Sequence, residues 1–254
     1  MKIAMLREIS PNISECEITN ISRKPIDFVI AEEQHKKYAD ALNDLGYSIH
    51  MIDTDIDMPD SVFIEDTAVV LDEIAVITNP GVHSRKGEIK EVANALNTYK
   101  DLKYIDSTGT LDGGDVLRIG KILYVGKSCR SSAVGISLLR EIVAPHGFEV
   151  MSIPVQGCLH LKTAVTQVAE NKILINPSWV SPDFFGDMDY ITVHPSESYG
   201  ANALFLEDGV LYPSAFPNTR KTLLDEGINV VAVDMSELAK AEGGVTCCSL
   251  IFDF

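Results

Sequence analysis

The feature that most limits the fold is a hairpin signature that occurs four times. In VVLDEIAVITNP (69–80) two short apolar runs flank a polar turn. The same form recurs in VLRIGKILYVG (116–126), AVTQVAENKILINP (164–177) and LFLEDGVLYPS (204–214). Runs of this length around a turn read as paired strands. Three of the hairpins are followed by helical periodicity and then another β-rich run: GEIKEVANALNTYK into LKYID, SAVGISLLREIVAPHG into FEVMSIPV, and TRKTLLDEGI into NVVAVD. The hairpin at 164–177 is followed only by the short SPDFFGDMDYITV, and a first unit fits KIAML, IDFVIAEEQHKKYADALNDLGY and SIHMID. The chain thus divides into about five β-β-α-β units at spacings of roughly 40–50 residues, a period that signals a repeat architecture. The competing reading is an ordinary α+β domain whose hairpins look alike because hairpins do. A closed ring would differ in one way that matters: loop ends from every unit would converge on a central cavity.

The 254 residues hold no Gly/Ser-rich, Pro-rich or low-complexity linker, so one domain over 1–254 is expected. An apolar fraction of 46% excludes a disordered chain. Lys and Arg number 21 against 37 Asp and Glu, a formal charge of −16. Such a surface repels phosphate backbones and anionic lipids, so neither nucleic acid nor membrane is an expected partner, whereas a cation would be drawn in. The N-terminal MKIAMLREIS is too short in apolar residues for a signal sequence, and no run approaches the roughly 20 that a membrane span requires. The cysteines (Cys16, Cys129, Cys158, Cys247 and Cys248) are odd in number, which argues against a disulfide framework and for the reducing cytoplasm.

Two clusters carry chemistry. PDSVFIEDTAVV (59–70) places Asp60, Glu65 and Asp66 among apolar residues. In a strand, Phe63 and Glu65 would share one face, and Ile64 and Asp66 the other. Either the strand ends here in solvent, or the acids form a pocket for a guanidinium or ammonium, whose N–H groups carboxylates accept bidentately. The second set is Cys247 in GGVTCCSLIF after Gly243 and Gly244, His160 in GCLHLKTAV, and Asp112 in LDGGDVL. All stand at unit starts and would converge in a ring. Thiol, imidazole and carboxylate are what covalent catalysis by a thiolate requires. Cys248 reads as core. A zinc site from Cys158, His160, Cys247 and Cys248 is the alternative, but adjacent cysteines chelate one tetrahedral ion awkwardly and the usual C-x₂₋₄-C spacing is missing, so no metal or other cofactor is expected.

PDSVFIEDTAVV, LDGGDVL, HLKTAV and GGVTCCS, in this order and spacing, resemble the dimethylarginine dimethylaminohydrolase family of the guanidino-group-modifying superfamily. The resemblance runs from about Arg23 to the C-terminus. It implies an α/β fold, the pentein α/β propeller of five β-β-α-β units around a pseudo-fivefold axis. It also implies hydrolysis of N-omega-methylated arginines to citrulline and a methylamine. Carried over, Cys247 is the nucleophile, His160 the general acid/base and Asp112 its orienting acid. Asp60, Glu65 and Asp66 line the guanidinium end, with Asp66 the most direct contact, and Phe63 is a further substrate-binding residue. Arg85 and Arg130 bind the α-carboxylate of a small guanidino amino acid. Residues 14–24 form a lid, with Ile18 near the substrate.

Acids around Cys247 should raise its pKa and an arriving cation should lower it, so the free thiol is expected protonated. Within the superfamily the alternative is an arginine deiminase acting on unmethylated arginine. Outside catalysis it is a binding module on the same ring, which would have no need for Cys247, His160 and Asp112 together. An edge strand could pair two chains into a homodimer, and zinc could inhibit by capturing Cys247 and His160.

Overall fold

The structure, a computed structural model, describes residues 1–254. Its strands form five separate three-stranded sheets. The first joins β15 (Leu250–Asp253), β1 (Lys2–Arg7) and β2 (Ser48–Ile52), and the second β3 (Ala68–Val70), β4 (Ile74–Ile77) and β5 (Asp101–Tyr104). The third holds β6 (Val116–Ile119), β7 (Ile122–Lys127) and β8 (Glu149–Pro154); the fourth β9 (Val165–Ala169), β10 (Lys172–Ile175) and β11 (Asp189–Thr192); the fifth β12 (Leu204–Leu206), β13 (Gly209–Pro213) and β14 (Val230–Val233). In each, the inner pair is antiparallel and the outer pair parallel.

A parallel pair needs a crossover, and helices supply it. They are α1 (Phe28–Asp44), α2 (Ile89–Leu96), α3 (Ala133–Val143) and α5 (Pro217–Asp225), with α4 (Leu161–Ala164) and α6 (Ser236–Ala239) as single turns elsewhere. The fourth unit crosses over on a 3₁₀ turn at Pro182–Phe185, as its short connecting sequence suggested. Helix α1 starts where Asp27 accepts the Ile30 N–H (3.1 Å), and it buries Ala31, Gln34, His35, Tyr38, Ala39 and Leu42. That is the i, i+3, i+4 stripe of a helix lying on a sheet.

The first unit departs from its sequence reading. Its inner strand is β15, from the other end of the chain, with Ile3 opposite Phe252. This pairing closes a ring. One cavity of about 250 Å³ is lined by Val69, Leu117, Gln167, Phe205 and Ile251, one residue from each inner strand. Lining by all five units is the mark of a five-bladed α/β propeller. Glu65, Lys162 and Thr246 also line this cavity, and each precedes its inner strand, so they close the end toward the loops. No helix is long and apolar enough to cross a membrane.

Candidate active site

The predicted site residues Asp60–Asp66, Asp112, His160 and Cys247 precede β3, β6, β9 and β15 respectively. The ring therefore brings them to one end of the channel. Residues Ile64–Thr67 are a 3₁₀ turn and not the strand expected, with Ile64, Glu65, Asp66 and Thr67 all buried. A strand would send Glu65 and Asp66 to opposite faces. The turn instead lets both meet partners from other blades. It packs against a second 3₁₀ turn at Gly113–Asp115, and this contact explains the Gly pair of LDGGD. A Cβ at Gly113 would lie 1.9 Å from the Glu65 carbonyl oxygen, and one at Gly114 would lie 2.7 Å from both Asp66 Oδ1 and His160 Nδ1.

His160, buried, lies 3.1 Å through Nε2 from Asp112 Oδ2 and 3.8 Å from Asp66 Oδ1. Asp112 is fixed by the Gly81 N–H (2.8 Å), and Asp66 by the Gly114 N–H (2.9 Å) and Arg85 Nη1 (2.5 Å). Burial alone would depress the imidazole. Asp66 and the hydrogen bond to Asp112, with the charges of Asp115 and Asp112, override it and raise His160 to about 9. His160 is therefore an imidazolium at neutral pH. Asp66 lies below the usual carboxylate range because the His160 and Arg85 cations outweigh its desolvation.

Cys247 stands in a turn, partly buried, with Sγ accepting the Gly244 N–H (3.3 Å) and its carbonyl accepting the Glu65 N–H (3.1 Å). Burial, and then the charges of Glu65 and Asp66, push its thiol up to about 12. The resting site thus holds a neutral thiol and an imidazolium. Cys248 is fully buried in the core between α1 and the fifth blade. Glu65 is ion-paired with Lys162 and accepts from Thr246 Oγ1 (2.8 Å). Its carboxyl is raised by burial, opposed by Lys162 and reinforced by Asp66. Phe63 is buried, and a Cβ at Gly243 would lie 2.2 Å from its ring.

The two arginines part company. Arg85 is 3% exposed, and its guanidinium is occupied by Glu88, Asp66 and the carbonyls of Phe63 and Asp60. The carboxylate-reading role expected of it meets a fork whose donors are already engaged, so in this structure Arg85 anchors Asp66. Arg130 keeps capacity: Nη1 lies 3.6 Å from Asp112, and Nη2 donates to Thr19 Oγ1 (3.2 Å).

Thr19 belongs to the segment 14–24, which lies over the site. Its Glu17 N–H donates to both Asp60 oxygens (3.2 and 3.1 Å), Ser84 Oγ donates to the Glu17 carboxylate (2.6 Å), and Ile18 packs on the core. The N–H groups of Thr19 and Asn20 both donate to Glu242 (2.5 and 2.9 Å). Glu242 is the one non-glycine residue with positive φ, at 61°. One ligand atom each from Asp66, Asp112 and His160 lie within 4.8 Å of one another. Arg85 and Arg130 already face those carboxylates, which opposes a divalent cation there.

A family model described as N,N dimethylarginine dimethylhydrolase, eukaryotic, matches residues 17–183. The N(G),N(G)-dimethylarginine dimethylaminohydrolase of Streptomyces coelicolor is 38% identical over 252 residues, covering 98% of this chain and 96% of its own. The chain belongs to the dimethylarginine dimethylaminohydrolase family. The Pseudomonas aeruginosa member is 34% identical over 228 residues, 89% of this chain and 90% of its own. A structure of that enzyme as a cysteine-to-serine mutant complexed with citrulline superposes with a TM-score of 0.94, at 31% identity and 98% coverage of both chains. The N-terminal domain of the cyanobacterial arginine dihydrolase ArgZ matches at a TM-score of 0.83 and 17% identity, a likeness of fold.

Other members of the site were not singled out from the sequence. Lys162, in the HLK motif, pairs with Glu65. Asn202, which precedes β12, donates to the Lys162 carbonyl (2.9 Å) and to Thr246 Oγ1 (3.0 Å), so the fifth blade contributes too. Tyr38 of α1, fully buried, donates to the Val245 carbonyl (2.7 Å) and pins the loop that leads into Cys247. Lys162 and Thr246 sit inside quoted motifs and could have been found there. Tyr38 is an ordinary core position in sequence, and nothing marks it.

Proposed function

We propose that this family member hydrolyses N-omega-methylated L-arginine to L-citrulline and methylamine or dimethylamine through a covalent intermediate on Cys247. The observation that carries the reading is the proton inventory: a thiol and an imidazolium stand among carboxylates that can pin a guanidinium. The arriving cation draws Cys247 toward the thiolate, and its proton leaves to solvent because His160 is already charged. Sulfur attacks the guanidinium carbon, whose plane Glu65 and Asp66 hold. His160 passes its proton to the departing amine, the C–N bond breaks, and an S-alkylthiouronium remains. Neutral His160 then takes a proton from water. The hydroxide adds to the same carbon, the C–S bond breaks, the added hydroxyl gives its proton to the departing sulfur, and citrulline leaves with the Cys247 thiol restored. Arg130 receives the α-carboxylate on this reading.

The hydrolysis needs no metal, and zinc acts as an inhibitor that EDTA relieves. The test incubates the protein with dimethylarginine, monomethylarginine, arginine and agmatine, and measures citrulline or carbamoylputrescine. Citrulline from the methylated substrates, abolished in Cys247→Ser, is expected. Citrulline from arginine alone would make it a deiminase. Wild-type turnover in Cys247→Ser would overturn the covalent route.

A further inference from the structure

We infer that Asp115, the second acid of LDGGD, is a positioning residue that holds Asp112, His160 and Arg130 in one register without itself touching substrate. Asp115 is wholly buried, and both of its oxygens are engaged. Oδ1 accepts the Leu161 N–H (2.9 Å), which fixes the peptide immediately after His160. Oδ2 accepts the hydroxyls of Ser128 (2.5 Å) and Ser131 (2.6 Å).

Each serine has one proton, spent on Asp115, so each must accept from elsewhere. Ser131 Oγ accepts the Asp112 N–H (3.1 Å), and Ser128 Oγ accepts the N–H groups of Arg130 (3.0 Å) and Ser131 (3.3 Å). One carboxylate therefore dictates the hydroxyl orientation at both serines, and through them the backbone at the orienting acid and at Arg130. The blade is built to admit it: a Cβ at Gly126 would stand 2.5 Å from Asp115 Oδ1. The charge acts as well. Burial pushes Asp115 up to about 6 against the pull of His160 and the serines, and Asp115 in turn helps hold His160 in its charged form.

An asparagine at 115 keeps the shape and one acceptor but removes the charge and puts a donor where the serines donate. Asp115→Asn should lower the His160 midpoint, read by NMR titration of the ligand-free protein, by about one pH unit. A merely structural side chain would not move it. Ser131→Ala keeps that charge and cuts the link to Asp112, so kcat for methylated arginine should fall about tenfold with the His160 midpoint unmoved. Ser128→Ala frees Arg130 and should raise KM more than it lowers kcat. A folded Asp115→Asn with an unmoved His160 midpoint overturns the inference. If Asp115→Asn fails to fold, the serine variants decide: kcat and KM within twofold of wild type in both overturn it, and the predicted split supports it. The kinetic arms rest on the proposed hydrolysis. If wild type releases no citrulline, that reading fails by itself, and the His160 titration still judges the role of Asp115.

Discussion

Ionising Cys247 at neutral pH is costly in the free enzyme. With the thiol at about 12, thiolate formation at pH 7 costs 12 − 7 = 5 units, or about 7 kcal/mol at 1.36 kcal/mol per unit. A single cation about 4 Å from the sulfur, at an effective dielectric near 20, returns about 4 kcal/mol, or roughly 3 units. Substrate should therefore bring the thiol to about 9, and a neutral ureido product should not. In free enzyme, the iodoacetamide inactivation rate should climb tenfold per pH unit from 6 to 10 with no plateau. Thiolate absorbance at pH 9 should rise on adding a guanidinium ligand that is not turned over, and stay flat with citrulline. Glu65→Gln removes the negative charge that most raises the thiol while leaving Lys162 in place, so its inactivation curve should move to lower pH. A plateau below pH 8 in the free wild-type enzyme would refute the reasoning, because it would mean that burial and the acids around Cys247 do not hold its proton.

The arginines should separate kinetically: Arg130→Lys raises KM for methylated arginine about tenfold or more but spares a methylated guanidine that lacks a carboxylate, whereas Arg85→Lys releases Asp66 and lowers both kcat and Tm. Equal effects of the two changes on both substrates would contradict this. Stability should have two opposed histidine limbs. His160, raised to about 9 from 6.5, contributes stability that is full below pH 6.5 and lost as pH climbs through 9. His35, buried with Nε2 unpartnered, is lowered to about 4, so its folded form is favoured above pH 6.5 and loses about 3 kcal/mol as pH falls to 4. His35→Leu should lower the acid midpoint of unfolding followed by circular dichroism, and an unmoved midpoint would discard the assignment. Gly113→Ala should cost more than about 3 kcal/mol in denaturant titration, since its Cβ would meet backbone oxygen at 1.9 Å and not a movable side chain. At Glu242, Gly relieves the backbone and Asn tolerates it, yet both forfeit the two hydrogen bonds to Thr19 and Asn20 of the overlying segment, so each should raise KM without lowering Tm.

The parts of this molecule legible in its sequence are those whose cause is local. Each hairpin at 69–80, 116–126, 164–177 and 204–214 contains its own turn and apolar runs, and each became the inner pair of a blade. The closing pair β15–β1 has no local cause, because its strands are separated by nearly the whole chain. The turn at Ile64–Thr67 looks like a strand in sequence for a related reason: an alternating pattern fits a strand, and what bends it is the Gly113–Asp115 turn of the next blade. Charge shows the same division. The acids Asp60, Glu65, Asp66 and Asp112 were visible as a cluster awaiting one cationic ligand, but the structure interleaves them with cations of its own. Asp66 meets Arg85 at 19 positions' separation, Asp112 meets His160 at 48, and Glu65 meets Lys162 at 97. Of those four acids only Asp60 lacks an ion pair; its carboxylate accepts the Glu17 N–H from the overlying segment. Counting Asp115 and Glu88 as well, six acids face Arg85, Arg130, Lys162 and His160, a formal balance of 4 − 6 = −2. A guanidino amino acid of net charge +1 therefore enters a site that is anionic but already neutralised at most of its acids. Its guanidinium must share Glu65 with Lys162 and Asp66 with Arg85, so affinity comes from exchange of partners, and the unshared effect of the new cation falls on Asp60, which has no ion pair, and on the sulfur of Cys247, which ionises in response.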